Sequence, residues 1–249
     1  MTQPVPIRRA PDHRPRLLDL FSCAGGAAMG YNRAGFEVTG VDIVDRPNYP
    51  FASRFHRADA LEHLTALIAS GEIEQYAAVH ASPPCQAGCA LTVGTNASRG
   101  WGREHVQLIP ELRYLLDRTG LPYVIEQPDG KAPVRKDLSL CGEMFGLGVI
   151  RHRNFELSGW SVPHMPHRPH RGRVRGWRHG EYFDGPYVAA YGAGGGKATV
   201  AEMQEAMGIT WTDVREELTE AIPPAYAELI GRAFIARARY RARYGEVAA

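Results

Sequence analysis

RLLDLFSCAGGAAMGYNRAGFEVTGVDI, residues 16–43, is the stretch that decides the fold of this 249-residue chain. Its apolar start, RLLDLF, has the length and composition of a buried strand. A turn of small residues follows, and AAMGYNRAG predicts a helix that ends at Gly35. FEVTGVDI, residues 36–43, predicts the next strand. A strand, a helix and a second strand in this order predict a βαβ unit, in which the two strands lie parallel in one sheet.

The same alternation continues along the next hundred residues. Helical spacing over residues 60–70 and 105–120 alternates with apolar, strand-like runs at 76–81 and 122–128. We therefore predict an α/β fold with a doubly wound, mostly parallel sheet, in which ligands bind beyond the carboxyl ends of the strands.

Composition changes divide the chain further. A Pro- and Arg-rich start lacks the apolar run of a signal peptide, and the alternation stops after residue 156. We expect a flexible arm (1–15), a main α/β domain (16–156), a small, irregular basic lobe (157–198) and C-terminal helices that pack back on the main domain (199–249).

Bulk composition describes a globular protein of uneven charge. No apolar run approaches the roughly 20 residues of a membrane helix, and four cysteines in this length favour a reduced, cytoplasmic protein over a disulfide scaffold. Net charge is only +2, yet residues 151–178 contain seven arginines and one acidic residue, and residues 232–243 contain five arginines and no acidic residue. Such asymmetry is typical of a surface that binds a polyanion. A solvated arginine-rich surface is the alternative.

Two acidic residues follow predicted strands at the expected ligand edge. The turn DLFSCAGGAAMG, residues 19–30, exposes backbone N–H groups that suit a nucleotide-like ligand. Asp42 is placed to accept hydrogen bonds from ribose hydroxyls, and Asp59 to accept one from a base amine. Taken singly, each is more simply a solvated loop residue.

HASPPCQAGCA, residues 80–90, presents a cysteine from a stiffened turn at a strand end. Cys85 is a candidate nucleophile, redox thiol, metal ligand or buried structural thiol. Cys85 and Cys89 lack both the two-residue redox spacing and a second ligand pair. The histidines of HMPHRPHRGRVRGWRH, residues 164–179, stand among prolines and arginines that argue against shared coordination, so we expect no metal site.

The order of seven segments resembles the DNA cytosine-5 methyltransferase family: DLFSCAGG, GVDI, ADALEHL, SPPCQ, VIEQP, RHRNFEL and EAIPPAYAELIG. The resemblance covers about residues 16–156 and 199–235, with SPPCQ as its most specific part, and indicates a short member with divergent cofactor motifs. It implies transfer of a methyl group from S-adenosylmethionine to carbon 5 of cytosine in double-stranded DNA. The base must be flipped out of the helix to be reached. We expect a monomer.

The resemblance also assigns roles. Cys85 would add to carbon 6 of cytosine, Glu126 would bind and protonate the base, and Arg151 and Arg153 would position it. Phe21 would stack on the adenine of the cofactor. The other residues expected at the cofactor are Asp19, Gly25, Gly26, Asp42, Ile43, Asp59, Ala60, Pro83 and Glu220, and those expected at DNA are Gln86, Arg99, Arg171, Arg173 and Arg175.

Four positions depart from the family pattern. Cys23 replaces a glycine, Gln127-Pro128 replaces Asn-Val, Val149 replaces a glutamine and Glu220 replaces an asparagine. Cys23 and Glu220 fall on the same side of the expected cofactor pocket. We therefore hypothesise an altered pocket, with weakened binding or a variant cofactor.

The alternatives to methyl transfer follow from that hypothesis. One alternative is a DNA-binding protein without transfer activity. Another is an enzyme that transfers a variant group or acts on RNA. A thiol redox protein is the least favoured hypothesis.

Overall fold

The computed structural model describes most of the chain as one seven-stranded sheet flanked by helices. The described residues are 14–84, 108–130, 132–178, 180–191 and 198–245. The strands are β1 Arg16–Leu20, β2 Glu37–Asp42, β3 Phe55–Arg57, β4 Ala78–Ala81, β5 Tyr123–Pro128, β6 Leu138–Leu140, β7 Arg153–Ser158, β8 Gly176–Arg178 and β9 Glu181–Phe183. The helices are α1 Gly26–Ala34, α2 Ala60–Ser70, α3 Ile109–Thr119, α4 Val200–Met207, α5 Arg215–Glu220 and α6 Pro224–Tyr244, with short 3₁₀ helices at Ala52–Arg54, Glu72–Gln75 and Gly142–Phe145.

Sheet order confirms the predicted doubly wound α/β class. The strands follow one another as β3-β2-β1-β4-β5-β7-β6. The first five are parallel, whereas β7 pairs antiparallel with both β5 and β6. The chain therefore winds outward in one direction through β2 and β3 and then returns to the other side of β1 with β4.

Each face of the sheet buries its own apolar layer, because successive side chains of a strand point to opposite faces. Leu17 of β1 belongs to the layer covered by α1 and α6, and Leu18 to the layer covered by α2 and α3. Helix α6 packs closely on α1, since a Cβ at Gly30 would lie 2.2 Å from the Pro224 carbonyl oxygen. The first layer includes Tyr31, Val38, Val124, Tyr226 and Ile230, and the second includes Val41, Leu64, Val79, Leu112 and Ile125.

The described residues outside the sheet include a hairpin of the basic lobe and the end of the N-terminal arm. Strands β8 and β9 form a short antiparallel hairpin within residues 157–198. Arg14 lies in the expected flexible arm, yet its guanidinium donates to the backbone oxygens of Asn32 (2.6 Å) and Gly35 (3.2 Å) at the end of α1. No helix among the described residues is both long and apolar enough to cross a membrane.

A buried carboxylate fixes the antiparallel strand β7. Glu156 is fully buried and accepts two 2.8 Å hydrogen bonds from the Arg113 guanidinium on α3. The backbone N–H and guanidinium of Arg135 donate to the same carboxylate at 3.0 and 2.9 Å. Burial alone would raise the pKa of Glu156, but these hydrogen bonds outweigh burial and lower it. The network therefore ties β7 to α3 and to the loop before β6.

Candidate active site

A cleft of about 490 Å³ opens at the carboxyl edge of the parallel strands. It lies beside β1 and β4, where the sheet order reverses, which is the usual ligand position in doubly wound sheets. The sequence-predicted residues that line it are Asp19, Phe21, Gly26, Asp42, Ile43, Asp59, Ala60, Pro83, Glu126, Arg153 and Glu220.

The turn after β1 carries an unusual backbone. Phe21 and Cys23 have φ angles of +58° and +45°, a left-handed conformation that side chains other than glycine rarely adopt. The turn is held by the backbone N–H of Cys23, which donates to Asp42 Oδ2 (2.8 Å), and by Trp211 Nε1, which donates to the Ala24 carbonyl (2.7 Å). Such strain persists only where surrounding contacts enforce it, and it is concentrated at functional sites.

The two glycines of this turn are required by packing. Gly25 has φ +78°, and a Cβ there would lie 2.6 Å from Pro50 Cδ. A Cβ at Gly26 would lie 2.2 Å from the Ile222 carbonyl oxygen. Both therefore allow the turn to approach neighbouring segments, and only Gly26 lines the cleft.

The acidic residues predicted to bind the cofactor also support the backbone. Asp42 accepts from the Cys23 and Val44 N–H groups, at 2.8 and 3.0 Å. Asp59 is the N-cap of α2 and accepts from two N–H groups of its first turn, at 2.9 and 3.0 Å through Oδ1. A carboxylate has about four lone-pair sites, so each retains capacity for a ligand hydroxyl or amine.

Asp19 and Ser22 are buried polar groups without a normal partner. Neither carboxylate oxygen of Asp19, nor Ser22 Oγ, makes a hydrogen bond within the part of the chain that the structure describes. Burial raises the pKa of Asp19 well above its usual value, and repulsion from Asp42 adds to this, while the nearby N–H of Ala28 partly offsets it. Unsatisfied buried polar atoms are uncommon in folded proteins, so they indicate a polar ligand.

These features fit S-adenosylmethionine. Buried acidic groups suit its ammonium and sulfonium charges, and Phe21 and Ile43 offer apolar surface for an adenine ring. Ile43 is 64% exposed and lies at the rim of the cleft.

The two unusual residues predicted on one side of the pocket contact each other. The Cys23 thiol donates to Glu220 Oε2 at 3.5 Å, and Arg46 Nη2 lies 3.6 Å from the same oxygen. Arg46 Nε also lies 3.4 Å from Asp42 Oδ1. Burial raises the pKa of Cys23 to about 12, with Arg46 opposing and Glu220 reinforcing the shift, so this thiol stays protonated. The Arg46 guanidinium offsets the charge of Glu220.

Sequence reasoning missed Arg46. Arg46 lies in the irregular segment after β2, and only the folded chain shows that it approaches Asp42 and Glu220. No family motif drew attention to that position.

The side of the cleft that is predicted to bind the base is built from β5 and β7. Glu126 Oε1 and Arg153 Nε form a 2.8 Å ion pair, with side chains only 6% and 14% exposed. The pairing of β5 with β7 brings these strand ends together. The buried amide of Gln127 donates to the Pro83 carbonyl at 2.6 Å. The Pro83-Pro84 turn is thus held against the end of β5.

Arg151, the other predicted base-positioning arginine, is engaged elsewhere. Its buried guanidinium donates to the carbonyl oxygens of Ala190 (2.5 Å), Thr219 (2.7 Å) and Ala221 (2.6 and 3.0 Å). Burial lowers its pKa to about 9. Arg151 does not line the cleft. Its hydrogen bonds instead join the segment before β7 to Ala190 and to the end of α5.

The three described arginines among those predicted at DNA differ in their surroundings. Arg171 Nε pairs with Glu143 at 2.7 Å, and Arg175 pairs with Glu202. The Arg173 guanidinium lies 4.8 Å from the centre of an aromatic ring of β9. All three lie in or beside the basic lobe, outside the cleft lining.

Three predicted site residues, Cys85, Gln86 and Arg99, lie outside the described residues. The described chain reaches Pro84, whose turn lines the cleft beside Glu126 and Arg153.

Sequence and structure comparisons agree with this geometry. No family model matches the chain. The Type II methyltransferase M.FnuDI of Fusobacterium nucleatum is 34% identical over 71 residues, which are 28% of this chain and 21% of that protein. Over this stretch the chain is similar to part of a Type II methyltransferase. It thus spans about a fifth of the length of the curated relative that it matches.

The fold of the chain is similar to that of solved methyltransferases. The Dnmt2 methyltransferase of S. pombe superposes with a TM-score of 0.51 at 15% identity, over 90% of this chain and 99% of that one. The methyltransferase EhMeth of Entamoeba histolytica gives a TM-score of 0.50 at 12% identity, over 91% and 99%. At these identities the comparison concerns the fold alone.

Proposed function

We propose that this protein transfers a methyl group from S-adenosylmethionine to carbon 5 of cytosine in DNA. The observation that carries the proposal is the buried Glu126–Arg153 pair beside the Pro83-Pro84 turn, in the same cleft as the acidic ligand pocket. A carboxyl group for the pyrimidine edge and a thiol-bearing turn are the two groups that cytosine activation requires. Both adjoin one pocket with residues suited to a methyl donor.

The proposed reaction begins with covalent activation of the base. The Cys85 thiolate adds to carbon 6 of a flipped-out cytosine, while Glu126 donates a proton to ring nitrogen 3. Carbon 5 becomes nucleophilic as a result. S-adenosylmethionine, held by the pocket residues, would supply the methyl group that carbon 5 takes up, and would leave as S-adenosylhomocysteine. Loss of the proton from carbon 5 to solvent then expels the Cys85 thiolate by β-elimination, and nitrogen 3 returns its proton to Glu126.

Arg153 has two tasks in this scheme. It holds the Glu126 carboxyl in place through the 2.8 Å ion pair, and its remaining N–H groups are donors for the base oxygen. Arg151 acts indirectly, because its bonds to three carbonyls fix the chain immediately before β7.

The pocket residues favour a cationic cofactor. Asp19, Asp42 and Glu220 supply negative charge or hydrogen-bond acceptors, and Arg46 supplies one positive charge among them. We propose that Arg46 serves the carboxylate of the methionine part, which Glu220 alone would repel.

DNA contact is proposed for the basic lobe. Arg173 packs on an aromatic ring and has no acidic partner among the ion pairs of the described residues, whereas Arg171 and Arg175 are each held by a glutamate. Arg173 is therefore the first candidate for a phosphate contact. Gln86 and Arg99 complete the proposed DNA set.

The direct test uses methyl-labelled S-adenosylmethionine and mixed-sequence duplex DNA. We expect labelled 5-methylcytosine from the unchanged protein and from Cys89→Ser, and none from Cys85→Ser. Cofactor binding without any transfer to DNA or RNA would instead support a base-flipping protein without activity.

A mechanism-based trap examines the covalent step. Duplex DNA with 5-fluorocytosine cannot lose a proton from carbon 5, so the adduct should accumulate when cofactor is present. We expect a band that survives denaturing electrophoresis with the unchanged protein and disappears in Cys85→Ser. A trapped adduct in Cys85→Ser would remove that residue from the mechanism.

A further inference from the structure

Four ligand-type side chains converge outside the active-site cleft. The coordinating atoms of Cys141, His152, His167 and His170 all lie within 4.8 Å of one another. His170 Nε2 is 3.3 Å from Cys141 Sγ and 3.2 Å from His167 Nε2, and His167 Nε2 is 3.1 Å from His152 Nε2.

Two of these residues are fixed by the edge of the main sheet. In the antiparallel pairing of β6 and β7, Leu140 lies opposite Arg153. One step further along the ladder, Cys141 and His152 therefore face each other. His167 and His170 come from the proline-rich segment of the basic lobe, so the cluster joins that lobe to the sheet.

Hydrogen bonding alone does not account for this arrangement. His167 Nε2 lies within hydrogen-bond distance of both His152 Nε2 and His170 Nε2. In a neutral imidazole each ring nitrogen has either one N–H group or one lone pair, so His167 Nε2 can serve only one of these contacts well. A cation at the centre would satisfy all of the nitrogens at once.

The donor set and its dimensions indicate the metal. We propose that Cys141, His152, His167 and His170 bind one Zn²⁺ ion in a closed structural site. Zinc takes four such ligands at about 2.0–2.1 Å from nitrogen and about 2.3 Å from sulfur. The edges of that tetrahedron are about 3.3 Å between nitrogens and about 3.6 Å between nitrogen and sulfur. The three short separations of 3.1–3.3 Å lie close to these edges.

Binding requires one proton to leave. The Cys141 thiol donates to the Ile150 carbonyl at 2.9 Å, and zinc takes the thiolate while this proton passes to solvent. The Ile150 oxygen stays satisfied afterwards, because it also accepts from the Gly142 N–H at 2.7 Å.

This proposal departs from the sequence-based expectation of no metal site. That expectation weighed Cys85 and Cys89, which lack a second ligand pair, and residues 164–179, in which prolines and arginines surround the histidines. Two of the four ligands, Cys141 and His152, lie outside that segment. The site would pin the basic lobe next to Arg153, whatever reaction the cleft performs.

Metal content provides the first test, on full-length protein purified without a polyhistidine tag. We expect about one zinc per chain in the unchanged protein. His167 is exposed, so His167→Ala should fold normally and lose most of the zinc. His164→Ala removes another exposed histidine of the same segment and should retain it. Unchanged zinc content in His167→Ala, or no zinc in the parent protein under reducing conditions, would overturn the proposal.

Cobalt replacement tests the ligands themselves. Co²⁺ in a tetrahedral site with one thiolate gives intense visible d–d bands and a thiolate-to-cobalt charge-transfer band in the near ultraviolet. We expect both with the unchanged protein and His164→Ala, and loss of the charge-transfer band in Cys141→Ser. If the parent protein binds cobalt without that band, Cys141 is not a ligand. The parent spectrum decides this point even if the buried Cys141→Ser variant fails to fold.

Discussion

Two variants of Cys23 separate the effect of the strained backbone on stability from the effect of the sulfur on the space in the pocket. Cys23→Gly removes both the side chain and the cost of a positive φ angle, whereas Cys23→Ala removes the sulfur and keeps a Cβ at φ +45°. A left-handed conformation costs an L-residue about 1–2 kcal/mol. Glycine loses about 0.4–1 kcal/mol of that gain through the greater freedom of its unfolded chain. We therefore expect Cys23→Gly to be about 0.5–1 kcal/mol more stable than Cys23→Ala.

Urea unfolding of the two variants measures this difference. In a domain of this size this stability difference corresponds to a rise of about 1–4 °C in Tm. Equal stability, or a more stable alanine variant, would refute the argument from strain, since only the backbone freedom differs between the two.

The affinity for S-adenosylmethionine tests whether the Cys23 sulfur takes up space that the cofactor needs. The Cys23 thiol lines the cleft and contacts Glu220 at 3.5 Å. If the sulfur occupies cofactor space, its removal is worth about 1 kcal/mol, or about fivefold in the Kd for S-adenosylmethionine. Titration calorimetry should show this gain in both variants, because both open the same space. An unchanged Kd would remove the reason for regarding the pocket as altered.

Three further predictions concern the base side and the sheet edge. Glu126→Gln keeps the shape of the pair with Arg153 but removes its proton donor, so the rate of labelled methyl transfer should fall about 10²-fold or more; a normal rate would exclude Glu126 as the acid. Gln127→Leu leaves the Pro83 carbonyl without its donor, which should lower the free energy of unfolding by about 1–3 kcal/mol in urea, and a neutral effect would mean that the contact is dispensable. The lowered pKa of Glu156 means that its stabilising contribution is present above the pKa of the unfolded carboxyl and is lost as pH falls through the lower folded value. Acid unfolding should therefore be less pH-dependent in Glu156→Gln than in the parent, and parallel pH profiles would contradict this.

The sequence predicted the parallel half of the sheet well because its signals are local. The expected helix over residues 60–70 has the same bounds in the structure, where Asp59 caps one end and Gly71 closes the other. Each strand–turn–helix unit also carries its own apolar period. The predicted residues of the cofactor pocket meet because parallel strands end at one edge.

What the sequence did not predict depends on contacts between distant segments. Strands β8 and β9 have three residues each, too few for a periodic signal. The engagement of Arg151 with three carbonyls follows from how α5 and the basic lobe return to β7. Cys141 and His152 become neighbours only through the antiparallel register of β6 and β7.

The contact between Cys23 and Glu220 changes how their two departures from the family pattern should be interpreted. The residues are 197 positions apart, yet thiol and carboxylate meet beside Arg46. Independent loss of function in the pocket would leave such positions with unrelated side chains. Here the Cys23 thiol donates to the Glu220 carboxylate, and the Arg46 guanidinium offsets the negative charge of Glu220. The arrangement is therefore more consistent with a pocket that has been rebuilt to hold a ligand than with one that has decayed. Restoring glycine at position 23 alone removes the donor from this contact and leaves the Glu220–Arg46 pair in place.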